Sequence, residues 1–136
     1  MVGLVIVCHG ALGAELVRVA ELIAGKVEGV EAVSIGSQVD VDKAREEVAA
    51  ALARVKGDDG ALILTDMFGG TPSNIALSFL GVDGVEVLTG VNLPMLIKFA
   101  NHRKDKPLKE LVTIVKEGGL KAIIVAGEML SQKVKK

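Results

Sequence analysis

The chain has 136 residues, half of them apolar, and a formal net charge of −1. This length fits one domain that buries about two-thirds of its unfolded surface, and the near-neutral charge disfavours nucleic acid as a partner. No apolar run approaches the roughly 20 residues of a transmembrane helix, and the amino terminus shows no signal-peptide pattern. A single cysteine cannot form an internal disulfide. The sequence therefore predicts a cytoplasmic protein with one domain over residues 1–130 and a solvated basic tail over 131–136.

The core must be aliphatic, because the chain has no Trp, no Tyr and only three Phe. Such a core is usual for parallel strands that are covered by helices on both faces. Short runs rich in Val, Ile and Leu predict strands over residues 1–8, 30–35, 61–65, 85–89 and 120–126.

Helical patterns alternate with these strands. Apolar residues at helical spacing and local cap signals predict helices over residues 12–25, 40–56, 92–102 and 107–117, and a further one that begins at Thr71. Asp40 and Asn92 are predicted N-caps, and Thr71 is predicted to cap the helix in which Pro72 is the first residue. The last of these helices is expected to stop at Gly118-Gly119, just before the final strand.

Alternating strands and helices indicate a three-layer α/β domain with a mainly parallel sheet. In the flavodoxin-like order 2-1-3-4, the first and third strands are neighbours, and the ligand crevice lies beyond their carboxyl ends. His9 follows the first strand and Asp66 follows the third. That order therefore predicts that the His9 and Asp66 side chains come within hydrogen-bond reach.

The residue types at this edge favour phosphoryl chemistry. A carboxylate that accepts from one ring nitrogen fixes the histidine tautomer and stabilises the positive charge that develops when the other nitrogen attacks. Gly69 and Gly70 let backbone amides converge on an anion, and Thr71 adds a hydroxyl at the start of a helix. Together these groups suit a phosphohistidine intermediate on His9, with phosphate bound by Gly69, Gly70 and Thr71.

Three blocks of the chain resemble the enzyme IIA component of the mannose-type sugar phosphotransferase system. The blocks come in the family's order, and the similarity covers essentially the whole chain. They are His9-Gly10-Ala11-Leu12, Thr65-Asp66-Met67-Phe68-Gly69-Gly70-Thr71-Pro72-Ser73-Asn74 and Gly90-Val91-Asn92-Leu93-Pro94-Met95-Leu96.

The resemblance implies that His9 receives a phosphoryl group from the phosphocarrier protein HPr and that Asp66 orients His9. It implies that the acceptor is a IIB component, which feeds a membrane sugar permease. No cofactor and no metal is expected. It also implies a homodimer in which the last strand, residues 120–126, joins the partner's sheet antiparallel. Thr71 stands where some members carry Ser, a change that keeps a hydroxyl for phosphate.

Two departures from the family pattern leave other roles open. Some members continue into a IIB domain, whereas this chain ends at Lys136, so a free-standing subunit is expected. Lys98 stands where an acidic residue is more common, and this bears on partner contacts. Alternative functions are a regulatory protein whose His9 phosphorylation state controls partner binding, or a phosphate donor to a dihydroxyacetone kinase. No residue pattern specifies a sugar, and no Walker lysine or Gly-x-Gly-x-x-Gly run indicates a nucleotide or flavin site.

Each site residue also has a structural interpretation. His9 could be an ordinary strand-end residue, Asp66 a turn or N-cap residue, and Gly69-Gly70 only a tight turn. Cys8 is interpreted as a small core residue, because successive strand residues point to opposite faces. His102 is interpreted as a solvated residue at a helix end, and a zinc site is disfavoured.

Five apolar residues lie in loops or helix starts at the predicted active edge of the sheet. Core packing is one explanation for them, and a partly exposed docking surface for HPr is the other and preferred one. The residues assigned to this surface are Leu12, Met67, Phe68, Leu93 and Met95.

Overall fold

A four-stranded parallel sheet lies at the centre of the computed structural model, which describes residues 1–134. The strands are β1 (Gly3–His9), β2 (Val30–Ile35), β3 (Ala61–Thr65) and β4 (Val85–Thr89). They lie in the order β2-β1-β3-β4, and each pairs in parallel with its neighbour. The predicted α/β fold and the order 2-1-3-4 are confirmed.

Helices cover both faces of this sheet. One face carries α1 (Leu12–Ala24), α4 (Leu93–His102) and α5 (Leu108–Lys121), and the other carries α2 (Val41–Val55) and α3 (Thr71–Leu77). A last helix, α6 (Ala126–Val134), follows α5. Within residues 1–134, no helix has the length and apolar character needed to cross a bilayer.

The two central strands are the most deeply buried elements. Every residue of β1 except His9 is buried, and so is every residue of β3. Their side chains alternate between two aliphatic cores, Val5, Val7 and Ile63 on the α2–α3 face and Ile6 and Leu64 on the opposite face. Burial of each such side chain contributes about 1.5–3 kcal/mol, so the position of His9 at the end of β1 is strongly fixed.

Two of the three predicted helix caps are present. Asp40 accepts hydrogen bonds from the amides of Asp42 and Lys43 at 3.1 and 3.2 Å, and Asn92 accepts one from the Met95 amide at 3.2 Å. The prediction for Thr71 is wrong, because Gly70 occupies the N-cap position and Thr71 is the first helical residue. Gly70 has φ +87°, a conformation that disfavours residues with a Cβ, and it begins the helix without a side-chain cap.

The predicted end of α5 at Gly118-Gly119 is also wrong. The helix continues through both glycines to Lys121 because they lie against α4. A Cβ on Gly118 would lie 2.5 Å from Lys98 Cγ, and one on Gly119 would lie 2.6 Å from Met95 Cγ. Close packing of α5 on α4 therefore outweighs the roughly 1 kcal/mol by which each glycine disfavours a helix.

The predicted strand over residues 120–126 does not form within this single chain. Leu120 and Lys121 end α5, and Ala126 begins α6, so only the short stretch between them is non-helical. Strand β4 lies at the edge of the sheet, and no segment of the described chain pairs with its outer side. Of the predicted tail over 131–136, residues 131–134 belong to α6, and Lys135 and Lys136 lie outside the described residues.

Arg103 connects the segments that precede β1 and β2, at the end of the sheet opposite to His9. Its side chain is buried, its Nε and one terminal nitrogen donate to the Val2 carbonyl at 3.1 and 2.8 Å, and the other terminal nitrogen donates to the Glu28 carbonyl. The guanidinium also lies 5.1 Å from the Phe99 ring centroid, within cation–π range. Burial lowers the pKa of Arg103, while Glu28 acts in the opposite direction.

We expect Arg103→Met to lower the free energy of unfolding by about 2–4 kcal/mol, because the two carbonyls would lose their buried charged donor. Urea denaturation followed by circular dichroism measures the change. Lys104→Met is the matched control, since Lys104 is exposed and adjacent. Equal stability of the two variants would contradict this role of Arg103.

Candidate functional site

His9 and Asp66 contact each other where the carboxyl ends of β1 and β3 meet. Val7 pairs with Thr65 in the parallel register, and the backbone leaves both strands at the same, carboxyl end of the sheet. His9 Nδ1 lies 2.8 Å from Asp66 Oδ2, and the His9 amide donates to the same oxygen at 3.0 Å. The predicted contact between the two side chains is therefore present.

The contact assigns different roles to the two ring nitrogens of His9. An ionised carboxylate can only accept hydrogen bonds, so Nδ1 carries the proton in this pair. Nε2 then keeps its lone pair when the ring is neutral. The His9 side chain is 51% exposed, whereas that of Asp66 is 12% exposed. The ring nitrogen with the free lone pair therefore belongs to the more accessible of the two side chains.

The backbone of Gly70 passes beside the reactive edge of the imidazole. A Cβ on Gly70 would lie 3.4 Å from His9 Cε1 and 3.5 Å from Nε2. Gly69 and Gly70 have φ values of +100° and +87°, which residues with a side chain rarely adopt. The two glycines thus bring the main chain next to Nε2 without a side chain in the approach to it.

The turn between β3 and α3 is held by short-range hydrogen bonds. Asp66 Oδ1 accepts from the Met67 amide at 3.0 Å, and Thr65 Oγ1 donates to the Met67 carbonyl at 3.3 Å. The Thr65 carbonyl accepts from the amides of Gly90 and Val91 at 3.0 and 2.9 Å. The turn that carries Asp66 is therefore joined to the turn that follows β4.

Asp66 remains ionised because its hydrogen bonds outweigh its partial burial. Burial by itself raises the pKa of this carboxyl group. Three effects lower the pKa by more than burial raises it: the hydrogen bonds from the His9 amide and ring, the charge of His9, and a backbone hydrogen bond within the turn. The net effect is a pKa below that of an ordinary aspartate. A carboxylate that stays charged opposite an imidazole can stabilise the ring when it becomes positive.

The predicted phosphate-binding residues surround the same edge. Thr71 is half-buried and begins α3, and the first amides of a helix have no partners within it. The Gly70 carbonyl accepts from the Asn74 amide at 3.0 Å and so closes the first turn. Gly69, Gly70 and Thr71 therefore all lie in the segment that passes His9, and their binding of phosphate stays a prediction.

Four of the five predicted docking residues are exposed or partly exposed. Leu12, Met67 and Phe68 are 46%, 53% and 75% exposed, and Leu93 is half-buried against the core. The prediction for Met95 is wrong, because this side chain is 4% exposed and packs in the core between α4 and the sheet. Met95 is the third residue of α4 and faces the core, where an apolar side chain is required.

The other two residues singled out in the sequence, Cys8 and His102, take no part in the contact between His9 and Asp66. Cys8 is buried in the core under α1 and α4, and burial, with a further contribution from the negative charge of Asp66, raises the pKa of its thiol to about 12. His102 is the last residue of α4, at the amino end of the sheet, and it is half-buried. Among residues 1–134, no three side chains of the His, Cys, Asp or Glu type are grouped to bind a metal ion.

Sequence reasoning did not single out two buried hydroxyls near the site. Thr65 and Ser73 are fully buried. The Ser73 Oγ has no hydrogen-bond partner among the described residues, whereas Thr65 bonds to the turn. Both belong to the quoted block that contains Asp66, and a polar residue at the end of a strand of apolar residues was the available signal for Thr65.

Comparisons with known sequences point to a single family. A family model described as "PTS system fructose IIA component" matches residues 3–116. The PTS system fructose-specific EIIA component of Bacillus subtilis (strain 168) is 31% identical over 136 residues, which cover 99% of this chain and 92% of the relative. The PTS system mannose-specific EIIAB component of Escherichia coli (strain K12) is 34% identical over 125 residues, or 90% of this chain, and the match spans only 38% of that relative.

Solved structures show the same fold. The phosphotransferase system component EIIA from Streptococcus agalactiae superposes with a TM-score of 0.82 at 27% identity and covers 94% of this chain and 99% of that one. The mannose/sorbose specific IIA subunit of the phosphotransferase system from Enterococcus faecalis gives a TM-score of 0.82 at 26% identity, covering 91% and 93% of the two chains.

The lowered pKa of Asp66 predicts how stability depends on pH. Because the folded pKa lies below the unfolded value, the ionised Asp66 adds stability above about pH 4, and this is lost as pH falls through the folded pKa. Asp66→Asn should therefore be less stable than the unaltered protein at pH 5, and the difference should shrink as the pH falls below about 4. Urea denaturation of both proteins at several pH values measures it. A difference that stays constant down to pH 2 would contradict the assignment.

Proposed function

The chain belongs to the mannose-type family of IIA components of the sugar phosphotransferase system, and we propose that it carries a phosphoryl group on His9 from phospho-HPr to a IIB component. The observation that carries this proposal is the hydrogen bond between Asp66 and His9 Nδ1, which leaves Nε2 free on a half-exposed ring. A histidine in that state is prepared for nucleophilic attack.

The proposed step exchanges one phosphorus–nitrogen bond for another. The lone pair of His9 Nε2 attacks the phosphorus atom of the phosphohistidine on HPr, a new N–P bond forms, and the donor's N–P bond breaks with its electron pair returning to the donor imidazole. The proton on His9 Nδ1 stays in the hydrogen bond to Asp66. The same exchange, with His9 as the donor, then passes the phosphoryl group to the IIB component.

Asp66 contributes by compensating charge. As Nε2 forms its bond to phosphorus, positive charge develops on the imidazole, and the carboxylate 2.8 Å from Nδ1 stabilises it. The lowered pKa of Asp66 keeps this carboxylate charged across the neutral pH range. Its second contact, with the His9 amide, fixes the carboxylate relative to the main chain at the strand end as well as relative to the imidazole.

The glycine turn is proposed to bind the transferred phosphoryl group. Gly70 brings main-chain atoms next to Nε2, and Gly69 and Thr71 flank it. Backbone amides and a hydroxyl in this position can donate to phosphoryl oxygens without adding a positive side chain. These donors are uncharged, so no positive side chain would hold the phosphoryl group in place. Such a site suits an intermediate that must be passed on to another protein.

The apolar residues around the site are proposed to contact the partner proteins. Leu12, Met67 and Phe68 are exposed at the same edge as His9, and they form a small apolar surface for docking. Leu93 lies at the start of α4 on that edge and is partly accessible. HPr and the IIB component would use this surface in turn, since both must reach Nε2.

We expect His9→Ala and His9→Gln to abolish labelling when the protein is incubated with enzyme I, HPr and phosphoenolpyruvate. The reason is that His9 Nε2 is the nucleophile in the proposed step. Phosphopeptide mapping of the acid-labile phosphate measures the outcome.

His102→Ala is the matched control and should label normally, because His102 is the last residue of α4, at the amino end of the sheet. Circular dichroism would verify that each variant is folded. Label retained in folded His9 variants would refute the assignment of the phosphorylated residue.

A homodimer is proposed as the functional assembly. The end of α5 and the segment that follows it expose four large apolar side chains, Leu120, Ile123, Ile124 and Val125, at 58%, 74%, 54% and 63%. An apolar patch of this kind usually marks an interface. Because β4 leaves an edge of the sheet open next to this segment, exchange of residues 120–126 between two copies would cover both features.

We expect the full chain to be a dimer at micromolar concentration, and a chain that ends at Gly119 to become monomeric or insoluble. Loss of the apolar segment removes the proposed interface. Multi-angle light scattering measures the mass. A chain that ends at Leu130 is the control and should remain dimeric. A full-length monomer, or a soluble dimer that ends at Gly119, would rule out this interface.

A further inference from the structure

Few side-chain contacts within the turn that carries Asp66 restrain its backbone. Met67 and Phe68 are exposed, so packing does not hold them, and Gly69 and Gly70 have no side chains. Yet Asp66 must keep its carboxylate oriented on His9, since a displacement of about 1 Å at a reacting group can reduce a rate by roughly 10²-fold. Some other group must therefore restrain the turn.

Both backbone polar groups of Met67 are hydrogen-bonded to side chains. Its amide donates to Asp66 Oδ1 at 3.0 Å, and its carbonyl accepts from Thr65 Oγ1 at 3.3 Å. Within residues 1–134, Thr65 and Asp66 are the only residues whose side chains hydrogen-bond to the backbone of Met67–Gly70. Thr65 is thus the restraint that comes from outside the His9–Asp66 pair.

Thr65 is well placed to hold the turn rigidly. It ends β3, its side chain is fully buried, and β-branching restricts its χ1. Its carbonyl accepts from the amides of Gly90 and Val91, which fixes its main chain as well. A buried hydroxyl is costly to leave without a partner, and the Met67 carbonyl at 3.3 Å is the acceptor that it contacts.

We propose that Thr65 is a positioning residue: its buried hydroxyl restrains the backbone of Met67 through the Met67 carbonyl, and the Met67 amide in turn holds the Asp66 carboxylate in the orientation that fixes His9. Thr65 acts through Asp66 and touches neither the phosphoryl group nor the imidazole. The inference rests on the proposed function for its effect on transfer, but its effect on His9 and Asp66 can be measured without any partner protein.

The test compares Thr65→Val, which removes the hydroxyl and keeps the shape, with Thr65→Ser, which keeps the hydroxyl. Thr89→Val is the matched control, because Thr89 pairs with Thr65 in the register of β3 and β4. The first readout is the ¹⁵N spectrum of the His9 imidazole and the titration of the Asp66 carboxyl by NMR. The second is transfer from phospho-HPr, with kcat and KM measured separately.

We expect Thr65→Val to raise the pKa of Asp66 toward the ordinary range, to alter the His9 imidazole spectrum, and to lower kcat roughly fivefold to tenfold with KM unchanged. Thr65→Ser should restore both readouts, and Thr89→Val should change neither. A folded Thr65→Val protein with unaltered His9 and Asp66 spectra would overturn the proposal.

Two further outcomes are distinguishable. If Thr65→Val does not fold, Thr65→Ala gives the same comparison against Thr65→Ser without the bulk of valine, and unaltered spectra in that variant would overturn the proposal. If the unaltered protein takes no phosphate from phospho-HPr, the proposed function fails, while the NMR readout still decides the role of Thr65.

Discussion

The adjacency of two parallel strands is the constraint on which the site depends. Because β1 and β3 are neighbours, their carboxyl ends place His9 Nδ1 2.8 Å from Asp66 Oδ2, although the residues are far apart in sequence. A one-residue slip of β1 against β3 would move each side chain into the opposite core, where the packing differs, so the two cores fix this distance. The chemistry of the site is thus built on the packing of Val, Ile and Leu in the two layers beneath it.

The two ends of the sheet are stabilised in different ways. At the amino end, Arg103 is buried and donates to the main-chain carbonyls of Val2 and Glu28, whose dipoles help to stabilise its charge. At the carboxyl end, His9 is half-exposed, and its partner Asp66 is bonded through both oxygens. The rigid end fixes where β1 begins, and the open end leaves its last residue accessible to another protein.

The sequence was sufficient for the sheet order and the contact of His9 with Asp66, since both follow from alternating elements and strand ends. It was insufficient where the outcome depends on tertiary contacts. The two glycines at 118 and 119 are typical of a helix end, but their packing against Met95 and Lys98 keeps α5 helical. Met95 follows a cap-and-proline signal near the active edge, yet only the position of α4 shows that it faces the core. The role of Thr65 depends on a single hydrogen bond, which no periodic pattern encodes.

Cys8 and His9 illustrate how one carboxylate can have opposite effects on adjacent residues. Alternation along β1 directs Cys8 into the core under α1 and α4, while His9 lies beside Gly70. Burial first, and then the negative charge of Asp66, raises the pKa of Cys8 to about 12, so the thiol stays protonated and unreactive. The same charge favours an imidazole that becomes positive during attack. Burial is thus the main reason why the sulfur stays protonated, and the charge of Asp66 adds to it. Of the two adjacent side chains, only the His9 imidazole is accessible at this end of the sheet, which supports the proposed phosphoryl intermediate on its nitrogen.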